Sequence, residues 1–214
     1  KGIRLTDLFQ EDGRAILGWA GGNAYTFMKN AMNRGVSGSF ITESSDRVEK
    51  AVSKLFNSNR QIAYFSNKAD AIKYAFLFSK ESTIVWKPLS TFQQDISSVK
   101  SIVFAPTFPW TDSIYIVAIQ KDLYSENIEL DDFAKNKMKI PFPLQAGIAR
   151  SIYNLIEALS ERKETDWFIY DSILTKYWTR KGPYLFPKVP NEDYDKFVLH
   201  CLSLGIIINP NYDS

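Results

Sequence analysis

Ser66, Asn67 and Lys68 stand between an apolar run, Ile62 to Phe65, and a stretch at helical spacing from Ala69 to Ser79 through Ile72, Ala75 and Phe76. A strand that feeds a helix through a short polar turn brings the first backbone N–H groups of that helix to the carboxyl edge of the sheet. An anion is favoured there. Ser66, Asn67, Lys68 and Ala69 therefore form a candidate phosphate cup, and the competing reading is ordinary helix capping by Ser66 or Asn67 beside a solvated lysine. Trp110, in Phe108-Pro-Trp110, offers an indole that either lines a site or anchors a proline-kinked loop on the core. Other chemistry has fewer carriers. His200 and Cys201 are the single histidine and the single cysteine, so a Cys-based zinc site and an internal disulfide are excluded. A serine or cysteine triad would need His200, and no Gly-x-Ser-x-Gly elbow is present to pair with it.

The elements that must position the cup follow from periodicity. Thr83 to Trp86 reads as the next strand, closing a strand–helix–strand unit whose two strands are expected to pair in parallel. Ile102 to Ala105 and Ile114 to Ile119 read as two more strands, giving a small mixed or parallel sheet. Pro106 to Asp112 between them cannot be a central strand, because its prolines have no N–H to donate.

Upstream, Leu5 to Trp19 reads as two extended pieces around the tight turn Asp12-Gly13, and Ala24 to Asn33 as a helix. Gly35 to Gly38 reads as a loop. Ser44, Ser45 and Asp46 are N-cap candidates for a helix burying Val48, Ala51, Val52 and Leu55.

Downstream, Ile128 to Lys139 is a charged connection. Pro141-Phe-Pro143 leads into a long amphipathic helix with Ile148, Ile152, Leu155, Ile156 and Leu159 on one face. A helix is expected near Phe168 to Trp178, its stripe Tyr170, Ile173, Leu174, Tyr177 and Trp178 forming core or core plus dimer contact. Pro183 to Phe186 follows as a separate segment. Another helix carries Tyr194, Phe197, Val198, Cys201 and Leu202 to a cap at Gly205, and Ile206 to Ile208 is a last strand. Alternating strands and helices give an α/β class, with residues 1–140 as the larger lobe and residues 141–214 as a connecting helix and a smaller α+β lobe.

Composition bounds the function. A net charge of +2 from 26 basic and 24 acidic side chains is too balanced to call for nucleic acid or anionic lipid. No apolar run reaches the roughly 20 residues that span a bilayer, and the start lacks the apolar stretch of a signal peptide. A reducing cytoplasm is the expected setting for a lone cysteine.

Read in order, these segments resemble the pyridoxal-phosphate enzymes of the aspartate aminotransferase fold (fold type I), and most closely their class III aminotransferase branch. Leu5-Thr-Asp-Leu-Phe-Gln-Glu-Asp-Gly-Arg-Ala-Ile-Leu-Gly-Trp19 is similar to that family's opening D-x-D-G-x-x-Y-x-D segment. Phe65-Ser-Asn-Lys-Ala-Asp-Ala71 stands where the family has S-G-T-E-A. Pro141 to Ala149 resembles the helix leading out of its large domain, and Gly182 to Pro210 its small domain.

The resemblance implies a shortened aminotransferase-like large lobe, pyridoxal 5'-phosphate as cofactor with its phosphate at Ser66, Asn67, Lys68 and Ala69, a small amino or keto acid as substrate, and a homodimer. It also exposes departures. The family's glycine and threonine fall on Lys68 and Ala69, and the place of the Schiff-base lysine falls on Pro106, which has no amine. Lys87 and Lys100 are the remaining lysines that could stand in, Asp95 and Asp112 the acids that could face a ring nitrogen, and Arg180 a small-lobe arginine for a substrate carboxylate. The chain is about half the family's usual length, and the deficit lies in the central section. The chain begins without a methionine and stops just past a strand where the family continues, so trimmed ends are an open reading. Reduced or absent catalysis is the expectation, with a non-catalytic binding or dimeric scaffold module as the alternative. The aromatic segments Trp19 to Phe27 and Phe104 to Trp110 are expected to lack partners within one chain and to meet in the dimer.

Overall fold

Ile116, Val117, Ala118 and Ile119 are buried one after another, as are all four residues from Ser101 to Phe104. A strand that is apolar on both faces must lie inside a sheet covered on both sides. The computed structural model, which describes residues 2, 4–19, 21–36, 46–90, 95–124 and 137–212, places these two strands at the centre of a four-stranded sheet.

In chain order the elements are β1 (Thr6–Asp7), α1 (Ala24–Asn33), α2 (Asp46–Leu55), β2 (Arg60–Phe65), α3 (Lys68–Phe76), β3 (Thr83–Val85), β4 (Ser101–Phe104), β5 (Tyr115–Gln120) and α4 (Lys121–Tyr124). Then come α5 (Phe142–Glu161), a 3-10 segment (Glu164–Tyr170), α6 (Asp171–Leu174), β6 (Trp178–Lys181), β7 (Tyr184–Pro187), α7 (Asn191–Ser203) and β8 (Ile206–Ile207).

The main sheet has the order β2-β5-β4-β3. β5 is antiparallel to both β2 and β4, and β3 is parallel to β4. β2, β3 and β4 therefore share one direction and end at the same edge. The expected pairing of residues 61–65 with 83–86 does not occur: the two strands run the same way but lie at opposite margins. The reason is burial. β2 and β3 are only partly covered, whereas β4 and β5 are wholly apolar and take the inner positions.

Period-two alternation divides the sheet between two layers. Ala63, Phe65, Val103, Val117 and Ile119 face α3, whose Ala71, Tyr74 and Ala75 cover them. Ile102, Phe104, Ile116 and Ala118 face the other way, onto α1, α2 and α5 through Ala24, Val48, Val52, Ile148 and Ile152. A mixed α/β protein with helices on both faces results. α5 starts at Phe142, earlier than its apolar stripe requires, with Pro143 in the first turn where no N–H is needed.

The small lobe has its own cluster of Trp178, Tyr194, Cys201 and Ile208. β6 and β7 form an antiparallel hairpin closed by Gly182-Pro183, and β8 pairs in parallel with β1, tying the chain start to this lobe. Here the expected helix from Phe168 to Trp178 is replaced by the 3-10 segment, one turn of α6 and the start of β6. Ile173 and Tyr177 of its stripe are exposed while Trp178 is buried; the side chain of Tyr170 lies outside the described residues. The α7 segment is as expected, with Gly205 at φ +78° after it.

The opening hairpin is also corrected. β1 is only two residues long, and Gln10, Glu11, Asp12 and Gly13 have φ of 50°, 52°, 55° and 82°, a left-handed turn rather than two paired strands. Ser44, Ser45, Gly38 and residues 128–136 lie outside the described residues. Phe104 and Phe108 are buried in the chain's own core and so are not short of partners, while Trp19 and Phe27 are exposed.

Candidate functional site

The carboxyl ends of β2, β3 and β4 bring Lys68, Trp86, Lys87 and Ala105 to one cleft, joined by Tyr115 from the start of β5. Two segments from elsewhere close it: Asp12 and Gly13 of the left-handed turn, and Tyr184 at the start of β7. The space left is about 30 Å³.

Each filling residue is held by a contact. Lys87 Nζ lies 3.2 Å from Asp12 Oδ1, both side chains being largely buried, and 5.5 Å from the centre of the Tyr184 ring. Gly13 lies so close to that ring that a Cβ there would stand 2.8 Å from Tyr184 Cε1. Burial, and then the negative charge of Asp12, push the Tyr184 phenol above its ordinary value. Three non-glycine residues at positive φ each cost about 1–2 kcal/mol, and this turn is what delivers Asp12 to Lys87.

Arg14 follows the turn. It is 7% exposed, its guanidinium lies 5.2 Å from the centre of the Tyr115 ring, and Nη1 donates to Glu11 O at 3.2 Å. Its Nε and Nη2 are buried with no hydrogen-bond partner among the described residues. Among the described residues the cation is met by the Tyr115 ring face and by no acid.

At the predicted cup, Ser66, Asn67 and Ala69 are exposed and Lys68 lines the cleft. Asn67 caps α3: its Oδ1 accepts from Asp70 N at 2.8 Å, and its Nδ2 donates to Asp70 Oδ2 at 2.8 Å. The Asp70 carboxylate thus already occupies the positive end of the helix, where a second anion would meet a like charge.

Other candidates are dispersed. Lys100 precedes β4 and is at the opposite edge, where its backbone N–H donates to the Ser82 hydroxyl oxygen at 3.1 Å. Asp95 is on that far side too, its carboxylate accepting from Ser97 N at 2.9 Å, which holds it below the usual carboxylate range. Asp112 is exposed in the β4–β5 loop.

Trp110 lies 6.1 Å from Phe108, ring to ring and nearly parallel, and Tyr25 donates its hydroxyl to Pro109 O, so the proline loop is anchored on the core. Arg180 is fully engaged in the small lobe: Nε and Nη2 donate to Asp171 at 2.6 and 2.9 Å, and Nη1 donates to Glu164 at 2.7 Å and to Gly182 O at 2.9 Å. These bonds raise the Arg180 pKa and lower that of Asp171. Among the described residues no group of three His, Cys, Asp or Glu side chains is placed to hold a metal, and no helix is long and apolar enough to cross a membrane.

A pyridoxal-phosphate fit fails on three counts in this geometry. Small-molecule sites run to several hundred Å³, whereas about 30 Å³ holds little more than a water molecule. The helix start is capped by the chain's own side chains. Pro106, buried just beyond β4, has no amine to form an imine.

The acid that sequence reasoning missed is Asp12. It is 75 residues from Lys87, and only the turn signal Asp12-Gly13 marked it. A larger cavity, of about 280 Å³, lies on the small-lobe side and shares Asp12, Gly13, Lys87 and Tyr184 with the cleft.

No protein-family model matches the chain. A protein of Treponema pallidum (strain Nichols), described only as an uncharacterized protein, is 21% identical over 253 aligned positions, which cover 99% of this chain and 82% of that protein.

Proposed function

We propose that this chain is a catalytically silent relative of the fold-type I pyridoxal-phosphate enzymes, aminotransferase-like in the order of its segments and working as a binding module. The observation that carries this reading is the filling of the carboxyl-edge cleft by the Asp12–Lys87 pair and the Tyr184 ring. Pro106 in the place of the imine-forming lysine supports it, as does the engagement of all three guanidinium nitrogens of Arg180 by Asp171, Glu164 and Gly182, which turns that arginine away from the role of receiving a substrate carboxylate. A fold kept without its chemistry is physically ordinary.

The test is a transamination assay on the purified 214-residue protein, supplied with pyridoxal 5'-phosphate and a panel of amino and keto acids. No turnover above the cofactor alone is expected. Turnover that is lost on replacing Lys68 or Lys87 would overturn the proposal.

A homodimer belongs to the same reading, and one observation favours it. Trp19 and Phe27 are 52% and 42% exposed, and Leu199 and Leu204 are 67% and 64% exposed, apolar surface that a second copy of the chain would cover. A two-fold dimer is the simplest closure. A monomer mass by light scattering at micromolar concentration would count against it. A reducing cytoplasm suits the buried free thiol of Cys201.

A further inference from the structure

Seven aromatic residues line the cavity of about 280 Å³. Phe9 follows β1, Trp167 belongs to the 3-10 segment, Trp178, Tyr184 and Phe186 to the β6–β7 hairpin, Tyr194 to α7, and Tyr212 follows β8. Segments from across the chain thus bring rings to one space. Apolar cavities of about 150 Å³ take a single benzene ring. The space here suits two fused rings.

Several of these rings are fixed by neighbours in the chain. Tyr194 and Tyr212 meet edge-on, their centres 5.2 Å apart and their planes at 74°. Trp178 rests on Phe197 at 5.4 Å, and Gly13 lies directly against the Tyr184 ring. A wall set in this way loses little side-chain freedom when a guest enters.

The polar residues of the wall are engaged within the chain. Asp12 and Lys87 neutralise one another at 3.2 Å, so the wall carries no net charge. Gln10 Nε2 donates to Asp7 O at 3.0 Å. Asn209 accepts twice, at its carbonyl from the Tyr194 hydroxyl at 2.7 Å and at its side chain from Asn211 N at 2.9 Å.

We infer that this cavity is a binding site for a neutral, planar molecule of two fused aromatic rings, selected by its contacts with the ring wall. Offset and edge-to-face contacts favour a flat aromatic guest over a saturated one of the same skeleton. A charged guest would be desolvated against a wall whose one ion pair is already closed. The inference rests on the binding-module reading above and gives that module its ligand class.

The probes are 2-naphthol, decahydro-2-naphthol and 2-naphthoate. The first two share a skeleton and a hydroxyl and are uncharged at neutral pH, whereas the third carries a carboxylate. Titration calorimetry of the full chain is expected to show 2-naphthol binding about 3- to 10-fold more tightly than decahydro-2-naphthol, the span of one aromatic pair beyond its buried area. The carboxylate of 2-naphthoate should weaken binding at least about tenfold relative to 2-naphthol. Nuclear Overhauser contacts from the naphthol protons should reach Trp178 and Tyr194, the two most buried aromatic residues of the wall. Leu8→Trp, on the wall at a residue that is 43% exposed, should plug the site and abolish binding.

Equal affinity for 2-naphthol and its saturated counterpart overturns the role of the rings. Equal or tighter binding of 2-naphthoate overturns the neutral ligand class. Absence of 2-naphthol binding, Overhauser contacts confined to other parts of the chain, or binding that a folded Leu8→Trp leaves unchanged overturns the site. Transamination by the same protein would instead remove the reading on which the inference rests and leave the naphthol result standing.

Discussion

The Asp12 carboxylate lies 3.2 Å from the Lys87 ammonium, 75 residues further along the chain, and the pair forms a shared wall between the carboxyl-edge cleft and the aromatic cavity. The contact spans the chain start and the end of β3, so it fastens the left-handed turn onto the sheet. A double-mutant cycle with Asp12→Asn and Lys87→Met should give a coupling of about 1 kcal/mol in chemical denaturation, at the upper end for pairs that keep some exposure. A coupling indistinguishable from zero would mean that the turn is held by Tyr184 and Gly13 alone.

Gly182 is the point at which the small-lobe hairpin meets the large lobe. It has φ +55°, and a Cβ built on it would stand 2.1 Å from Leu89 O, a backbone atom that cannot swing aside. Gly182→Ala should therefore cost at least about 2 kcal/mol, from the left-handed backbone and the clash together. Hydrogen exchange should show the loss first in β6 and β7. Wild-type stability in this variant would show that the hairpin does not rest on Leu89.

Two buried arginines should respond in opposite directions. Arg60 is fully buried, its guanidinium donating to the carbonyls of Ala118, Ile96, Ser97 and Val99 and to the Ser58 hydroxyl, and burial lowers its pKa to about 10. Arg60→Met strands those acceptors and should destabilise by about 3 kcal/mol or more. Arg14 has two buried nitrogens without partners among the described residues, so Arg14→Met should be neutral or stabilising by about 1 kcal/mol. Thermal unfolding of the two variants checks both signs.

Alkaline pH should unfold the chain through its phenols. Burial holds Tyr64 and Tyr184 above the ordinary phenol range, with Glu49 adding to the first and Asp12 to the second. The unfolded chain releases these protons near pH 10, before the folded chain does. Their contribution is thus fully present below that pH and is lost as pH rises above it. Phenolate absorbance should show a late class of tyrosines that ionises together with the loss of helical circular dichroism. Ionisation of all eleven with the helices intact would contradict the burial of these two.

The four strands of the main sheet, β8, α3, α5 and α7 were legible because apolar periodicity marks them, and the αL residue after α7 was legible at Gly205, whereas β6 was read as the end of a helix. Strand order could also have been read: runs buried on both faces, as in Ser101–Phe104 and Tyr115–Gln120, belong inside a sheet, while the half-covered Thr83–Val85 belongs at its margin. Assuming that consecutive strands pair led the reading away from this. The two-residue turn Gly182-Pro183 was likewise a hairpin signal. Neither the left-handed course of Gln10 to Gly13 nor the meeting of Asp12 with Lys87 was legible, because tertiary contacts rather than local preference hold three non-glycine residues at positive φ.

The most direct measurement of catalytic silence is borohydride trapping followed by peptide mass mapping. The protein is mixed with one equivalent of pyridoxal 5'-phosphate, reduced, digested and searched for the reduced adduct on lysine. With Asp12 and Tyr184 against Lys87, Asn67 and Asp70 closing the start of α3, and a proline at position 106, the adduct should be scarce and spread over exposed lysines. Stoichiometric labelling of one lysine, Lys68 or Lys87, accompanied by a visible absorbance band before reduction, would contradict the account.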